Sequence, residues 1–151
     1  MPSAAVATKQ VTGPGFAFSV PAGWRVSHTD RSAKAQSGDA RPAIVFAAAY
    51  RLGKAYAPAQ FEAAAKELDG VAAKLAAAAG GTVTSSETTT VDGMKVRAYR
   101  FTATAHGGSY ADRVAFVLHG KREVQLLCQA PAGASDPGGA CALLFSSFSL
   151  K

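Results

Sequence analysis

The residues able to carry chemistry are few and widely spaced. Three histidines (His28, His106, His119) and two cysteines (Cys128, Cys141) stand among only ten carboxylates. Ser109, His106 and Asp112 supply the side-chain types of a nucleophile, a base and an orienting acid. All three fall in one predicted turn region, where a buried and oriented nucleophile is not expected. Asp112 beside Arg113, one strand from His106 or His119, makes at most a small polar cluster. No GxSxG, phosphate-loop, HExxH or strand-coupled GxGxxG pattern occurs. Gly13-Pro14-Gly15 lacks the following helix that phosphate binding needs. No catalytic residue and no cofactor is therefore assigned, and the protein is read as a non-enzyme.

The cysteines are spaced far from CxxC, and two thiolates are too few for a structural zinc site without two well-placed histidines. The histidines lie on separate predicted elements, so no metal site is expected. Two readings of Cys128 and Cys141 remain, a disulfide or two separate buried thiols. A bond between them would close a loop of about a dozen residues, worth roughly 3 kcal/mol in the chain-entropy account. It would also imply an oxidising compartment. The disulfide is the preferred reading.

These residues need a scaffold, and 151 residues suffice for one domain with a real core. Charged residues are 17%, below the usual ~25%, which argues against a mostly disordered chain. The net charge of +6 would suit an anionic partner. The basic residues are scattered, however. The densest pair is Lys121–Arg122 on a turn, while Lys95 and Arg97 point one way from their strand and Arg100 the other. With no basic helix and no aromatic–glycine RNA-binding pattern, the charge reads as a solvated surface, and no nucleic-acid partner is expected. No apolar run approaches the ~20 residues of a membrane span. Met1–Gln10 has no apolar signal core, which fits either a cytoplasmic protein or one whose targeting segment has been removed. The small, polar linker Pro2–Gln10 suits the second.

Residues 1–12 read as a flexible tail and 13–151 as one domain. Phe16–Val20 alternates as a strand, Pro21–Gly23 turns, and Trp24–His28 resumes, with Trp24 anchoring the sheet edge in the core. Thr29–Arg41 reads as a mobile surface loop. Pro42–Leu52 reads as a strand buried on both faces. Pro58 opens the one strong helix, whose stripe is Phe61, Ala64, Ala65, Leu68, Val71, Ala72, Leu75, Ala78 and Ala79, and Gly80–Gly81 ends it. Thr82–Val91, Met94–Thr104, Ser109–His119 and Arg122–Ala130 then form an antiparallel meander. Its turns are Asp92–Gly93, His106–Gly108 and Gly120–Lys121. Asp136, as N-cap, and Pro137 predict a second helix over Pro137–Ser147 on the opposite sheet face. A final strand, Ala142–Leu150, is the alternative.

Phe18-Ser19-Val20-Pro21-Ala22-Gly23-Trp24, the run Asp112–Phe116 to Glu123–Cys128, and the closing Phe145–Leu150 resemble the PsbP-like/Mog1-like α/β/α sandwich proteins. The similarity is to the bacterial branch that includes actinobacterial LpqN-type lipoproteins, and it spans roughly 16–150. It implies an α+β fold, with an antiparallel sheet sandwiched between helices. It also implies export with a signal or lipid anchor, and an accessory binding role without catalysis. The expected partner is a protein or lipid-like component of the cell envelope. The residues proposed to meet it are Arg97, Tyr99, Arg113 and His119, polar side chains set among sheet residues. The competing readings are a small hydrolase using His106 or His119 as base, and a cytoplasmic adaptor like the nuclear-transport members of the fold.

Overall fold

The computed structural model describes residues 7–105 and 107–151. Its centre is Gly108–Pro131 (β8), extended throughout but folded back on itself at Gly120–Lys121. Asp112 on the outgoing arm hydrogen-bonds Gln129 on the returning arm, and the Ala132 N–H donates to the Ser109 carbonyl at 2.9 Å. Gly120 takes φ +59°, which a type II′ hairpin requires at its first central position and which only glycine adopts cheaply. The outgoing arm pairs with Met94–Ala105 (β7), and the returning arm with Ile44–Tyr56 (β5). β7 continues through the Asp92–Gly93 turn to Val83–Val91 (β6). On the other flank β5 pairs with Ser32–Gln36 (β4), and β4 with Arg25–His28 (β3). The sheet order is β3-β4-β5-β8-β7-β6, with every pairing antiparallel.

Alternate residues of the same strands enter two different cores, as the period of two dictates. Tyr99, Phe101, Ala103, Tyr110, Val114 and Phe116 face the long helix Phe61–Ala78 (α1) and pack on Leu68, Ala72 and Ala76. Val96, Ala98, Ala115, Val117, Val124 and Leu126 face the other way. There they meet Phe16–Pro21 (β2) and the short helix Ala140–Ser147 (α2), through Phe16, Phe18, Leu144 and Phe148. The expected α+β sandwich, a central antiparallel sheet between helical layers, is present.

Four elements differ from the sequence reading. Thr8–Gly13 (β1) is a strand rather than the end of a tail, and it lies beside β2. Met1–Val6 lie outside the described residues. Thr29–Arg41 is not a loop throughout: Ser32–Gln36 is an inner strand, with Ala33 and Ala35 fully buried. Its alternation is written in alanine among polar residues, too faint to stand out from a turn-rich stretch. The second roof is more than a helix, since β1, β2 and Ser149–Leu150 (β9) form a three-stranded sheet beside α2. The C-terminal segment is thus a helix followed by a two-residue strand. That helix begins at Ala140, because Gly138 and Gly139 both sit at φ +65° and interrupt helical geometry. Asp136 still caps it from a distance, its carboxylate accepting from the N–H of Cys141 at 2.7 Å and of Ala142 at 3.1 Å.

On α1 the stripe drifts from the one expected. Ala76 is fully buried, whereas Val71 is 39% exposed. The helix end approaches β7 so closely that a Cβ on Gly81 would stand 1.8 Å from the Thr102 carbonyl oxygen. The Thr104 N–H reaches back to the Ala79 carbonyl at 2.8 Å. Gly81→Ala is therefore expected to lower stability by more than the ~1 kcal/mol of an ordinary glycine exchange. Urea unfolding monitored by circular dichroism checks this, and an unchanged midpoint would contradict the close approach.

Cys128 on β8 and Cys141 on α2 are joined as a disulfide, with Cα atoms 5.5 Å apart and a sequence separation of 13. The bond fixes α2 to the sheet in the oxidised protein. Reduction, or Cys128→Ala with Cys141→Ala, is expected to cost roughly 3 kcal/mol, read as a lower Tm in calorimetry with and without reductant.

Candidate functional site

The four residues singled out from the sequence do not form one patch. Arg97 and Tyr99 project toward α1. Tyr99 is 2% exposed, and its hydroxyl donates a hydrogen bond to Asp69 of α1. Arg97 reaches the same carboxylate at 3.4 Å and donates to Ser86 at 3.0 Å. Its guanidinium also lies 5.5 Å from the Tyr99 ring centroid. This is a structural tie between helix and sheet. Burial, reinforced by Asp69, pushes the Tyr99 hydroxyl up to about 12, so it stays protonated as a donor.

Arg113 projects to the opposite face. There it pairs with Glu87 at 2.9 Å and stacks 4.0 Å over the Phe145 ring of α2. His119 is exposed beside the Gly120 turn. His28, at the other side of the sheet, bonds the Thr12 carbonyl through Nε2 at 3.1 Å. His106 lies outside the described residues. Among the described residues, no group of three or more His, Cys, Asp or Glu is placed to hold a metal ion.

Among the described residues Asp112 is the one buried carboxylate, 5% exposed. Gln129 donates to its Oδ2 at 3.0 Å, while Oδ1 has no partner. Burial raises its pKa from 3.8 to about 6, against the opposing effect of the Gln129 bond. Its side chain leaves the sheet on the α1 side, as do those of Tyr110 and Val114, and the residue also lines the groove described next.

That groove lies between the sheet and the segment leading into α2, with a volume of about 230 Å3. Ala43 and Val45 of β5, Ala111 and Ala130 of β8, and the disulfide form its apolar walls. Trp24, 8% exposed, packs its indole near Gly138 and closes one end. At the other side stand Arg100 of β7 and Arg113 of β8, paired directly across the two strands. Like charges so placed repel. The sequence reading placed Arg100 on the face opposite Arg97 and did not pair it with Arg113. Counting back from the turn through Ala105 and Gly108 would have placed it opposite Arg113.

No protein-family model matches the chain, and no curated protein matches it by sequence. Solved structures do match by shape. The solution structure of cyanobacterial PsbP (CyanoP) from Synechocystis superposes with a TM-score of 0.72 at 10% identity, covering 99% of this chain and 95% of that one. The fold is that of the PsbP/Mog1-like proteins. LpqN of Mycobacterium tuberculosis, described as involved in cell envelope biogenesis, gives a TM-score of 0.61 at 14% identity and covers 95% and 91% of the two chains. A crystal structure from Bacteroides thetaiotaomicron gives 0.68 at 14% identity. This chain spans about half of that protein's length, 48%. At these identities the PsbP/Mog1-like likeness is one of architecture.

The raised pKa of Asp112 has a signed consequence. The folded state holds a proton that the unfolded chain releases earlier, so its contribution to stability is full below pH 3.8 and is lost as pH rises through about 6. Asp112→Asn keeps an oxygen for Gln129 and carries no charge. It is expected to flatten the fall in Tm over that window and to raise Tm at neutral pH. A variant with the wild-type pH profile would contradict this assignment.

Proposed function

We propose that the chain is an exported, non-enzymatic accessory domain that captures a protein or lipid-like partner of the cell envelope. The observation that carries this reading is the Cys128–Cys141 bond, which holds α2 over the sheet. A bond of this kind persists where the surroundings are oxidising. The likeness to LpqN, itself described as involved in cell envelope biogenesis, supports the same address. Among the described residues, no helix is long and apolar enough to cross a membrane, so attachment is assigned to a part outside this fold or to a partner.

Binding rather than catalysis is favoured by how the polar groups are spent. Asp69 is engaged by Tyr99 and Arg97, and Asp136 caps α2. The groove presents arginines beside apolar walls, the mixture found where partners are held. Partner contact is assigned to Arg113 at the groove and to His119 on its exposed turn. On the α1 side the contact is assigned to Arg97, with the buried Tyr99 and Asp69 holding its guanidinium in place.

Thiol titration of unreduced protein from its native host checks the address. No free thiol is expected, and two free thiols would favour a cytoplasmic adaptor. For the partner, capture from detergent-solubilised envelope is expected to weaken several-fold with Arg113→Ala. Unchanged capture with both Arg113→Ala and Arg97→Ala would remove these residues from the binding surface.

A further inference from the structure

We infer that the groove between β5, β7, β8 and the start of α2 is a site for a single-chain carboxylate amphiphile, with the head at Arg100 and Arg113 and the acyl chain running toward Trp24. This deepens the envelope-binding proposal and rests on it. The argument starts from the arginine pair. Two guanidiniums directly across antiparallel strands destabilise a sheet unless something negative joins them. Glu87 supplies one carboxylate, to Arg113 alone. Arg100 has no ion-pair partner among the described residues. On this face of the sheet Arg100, Arg113 and Glu87 together keep one positive charge, Asp112 projecting to the other face, and an arginine fork matches a carboxylate in both geometry and charge. Within Arg113, Nε is buried with no hydrogen-bond partner, a donor left open on the same side.

Among the described residues, the rest of the cavity supplies no other cation and carries two carboxylates, Asp112 and Asp136. Its walls are Ala43, Val45, Ala111 and Ala130, with Cys128–Cys141 beside them. The carboxylate of Asp136 is taken up by the α2 N–H groups, and that of Asp112 accepts from Gln129. An anionic head thus has one favourable end, and the chain has one direction to run. The volume of about 230 Å3 is below that of typical small-molecule pockets, which suits one narrow chain rather than a ring system or a two-chain lipid.

Trp24 is the single tryptophan and lines the groove, so its fluorescence reports entry. The experiment titrates decanoate, decyl phosphate, acetate and decyltrimethylammonium into the intact oxidised protein, following Trp24 emission and calorimetric heat. Decanoate is expected to saturate and to shift the emission. Acetate and the cationic amphiphile are expected to bind at least tenfold more weakly. Arg100→Gln, at an exposed position, should weaken decanoate at least fivefold. Ala111→Leu, which fills the groove, should abolish the emission shift. Equal binding of the cationic amphiphile, or no effect of Arg100→Gln, would overturn the site. Tighter binding of decyl phosphate would overturn the carboxylate assignment. An acidic peptide that shifts Trp24 where decanoate does not would give the groove to a protein partner and overturn the proposal. Failure of every probe would sink the groove while leaving the thiol titration, and the exported address, untouched.

Discussion

The structure depends on burying both faces of one hairpin. The two arms of β8 are paired along their outer edges by β5 and β7, so neither edge is free. Their side chains alternate between two cores that do not communicate through the sheet. A strand in that position must be apolar on both faces and must be roofed twice. Everything else in the chain meets that demand. α1 is laid across one side, while β1, β2, β9 and α2 are laid across the other. Secondary ties then fix the roofs. Asp69 anchors α1 through Tyr99 and Arg97, and sulfur anchors α2. Arg122 joins the Gly15 turn to the Lys151 carbonyl, holding the small sheet against the hairpin turn.

The same alternation explains why polar residues near one another in sequence are far apart in function. Asp112 and Arg113 are neighbours in the chain and lie on opposite sides of the sheet. One becomes a buried acid beside Gln129, and the other a groove-side cation stacked on Phe145. A constellation assembled from sequence proximity alone is divided by the pleat. Arg97 and Tyr99 suffer the same division from Arg113 and His119.

Much of the frame was legible because its signals were strong. Asp92–Gly93 and Gly120–Lys121 announce tight turns, and Phe61 to Ala79 repeats at helical spacing. Trp24 follows a turn and enters the core as expected. The less visible parts were written in small residues. Ala33 and Ala35 carry the alternation of β4, and Ala140 seats α2, where alanine is apolar enough to bury yet too common to stand out. β1 hid in a stretch of threonine and lysine, with only Val11 turned inward. Of the groove, only the Arg100–Arg113 pairing was within reach, by counting from the turn. The groove itself arises from the register of three strands and from a disulfide that closes a loop over them, and register is set by turns rather than by composition.

The alanine face of α1 has a further effect on how that layer assembles. Ala72 and Ala76 are fully buried against the sheet, and alanine has no rotamers to freeze. The helix therefore docks with little side-chain entropy lost, and its backbone comes as near to β7 as sterics permit. Such a seam tolerates change in one direction only. A larger side chain at either position acts as a wedge, while nothing but glycine is small enough to let the layers draw closer.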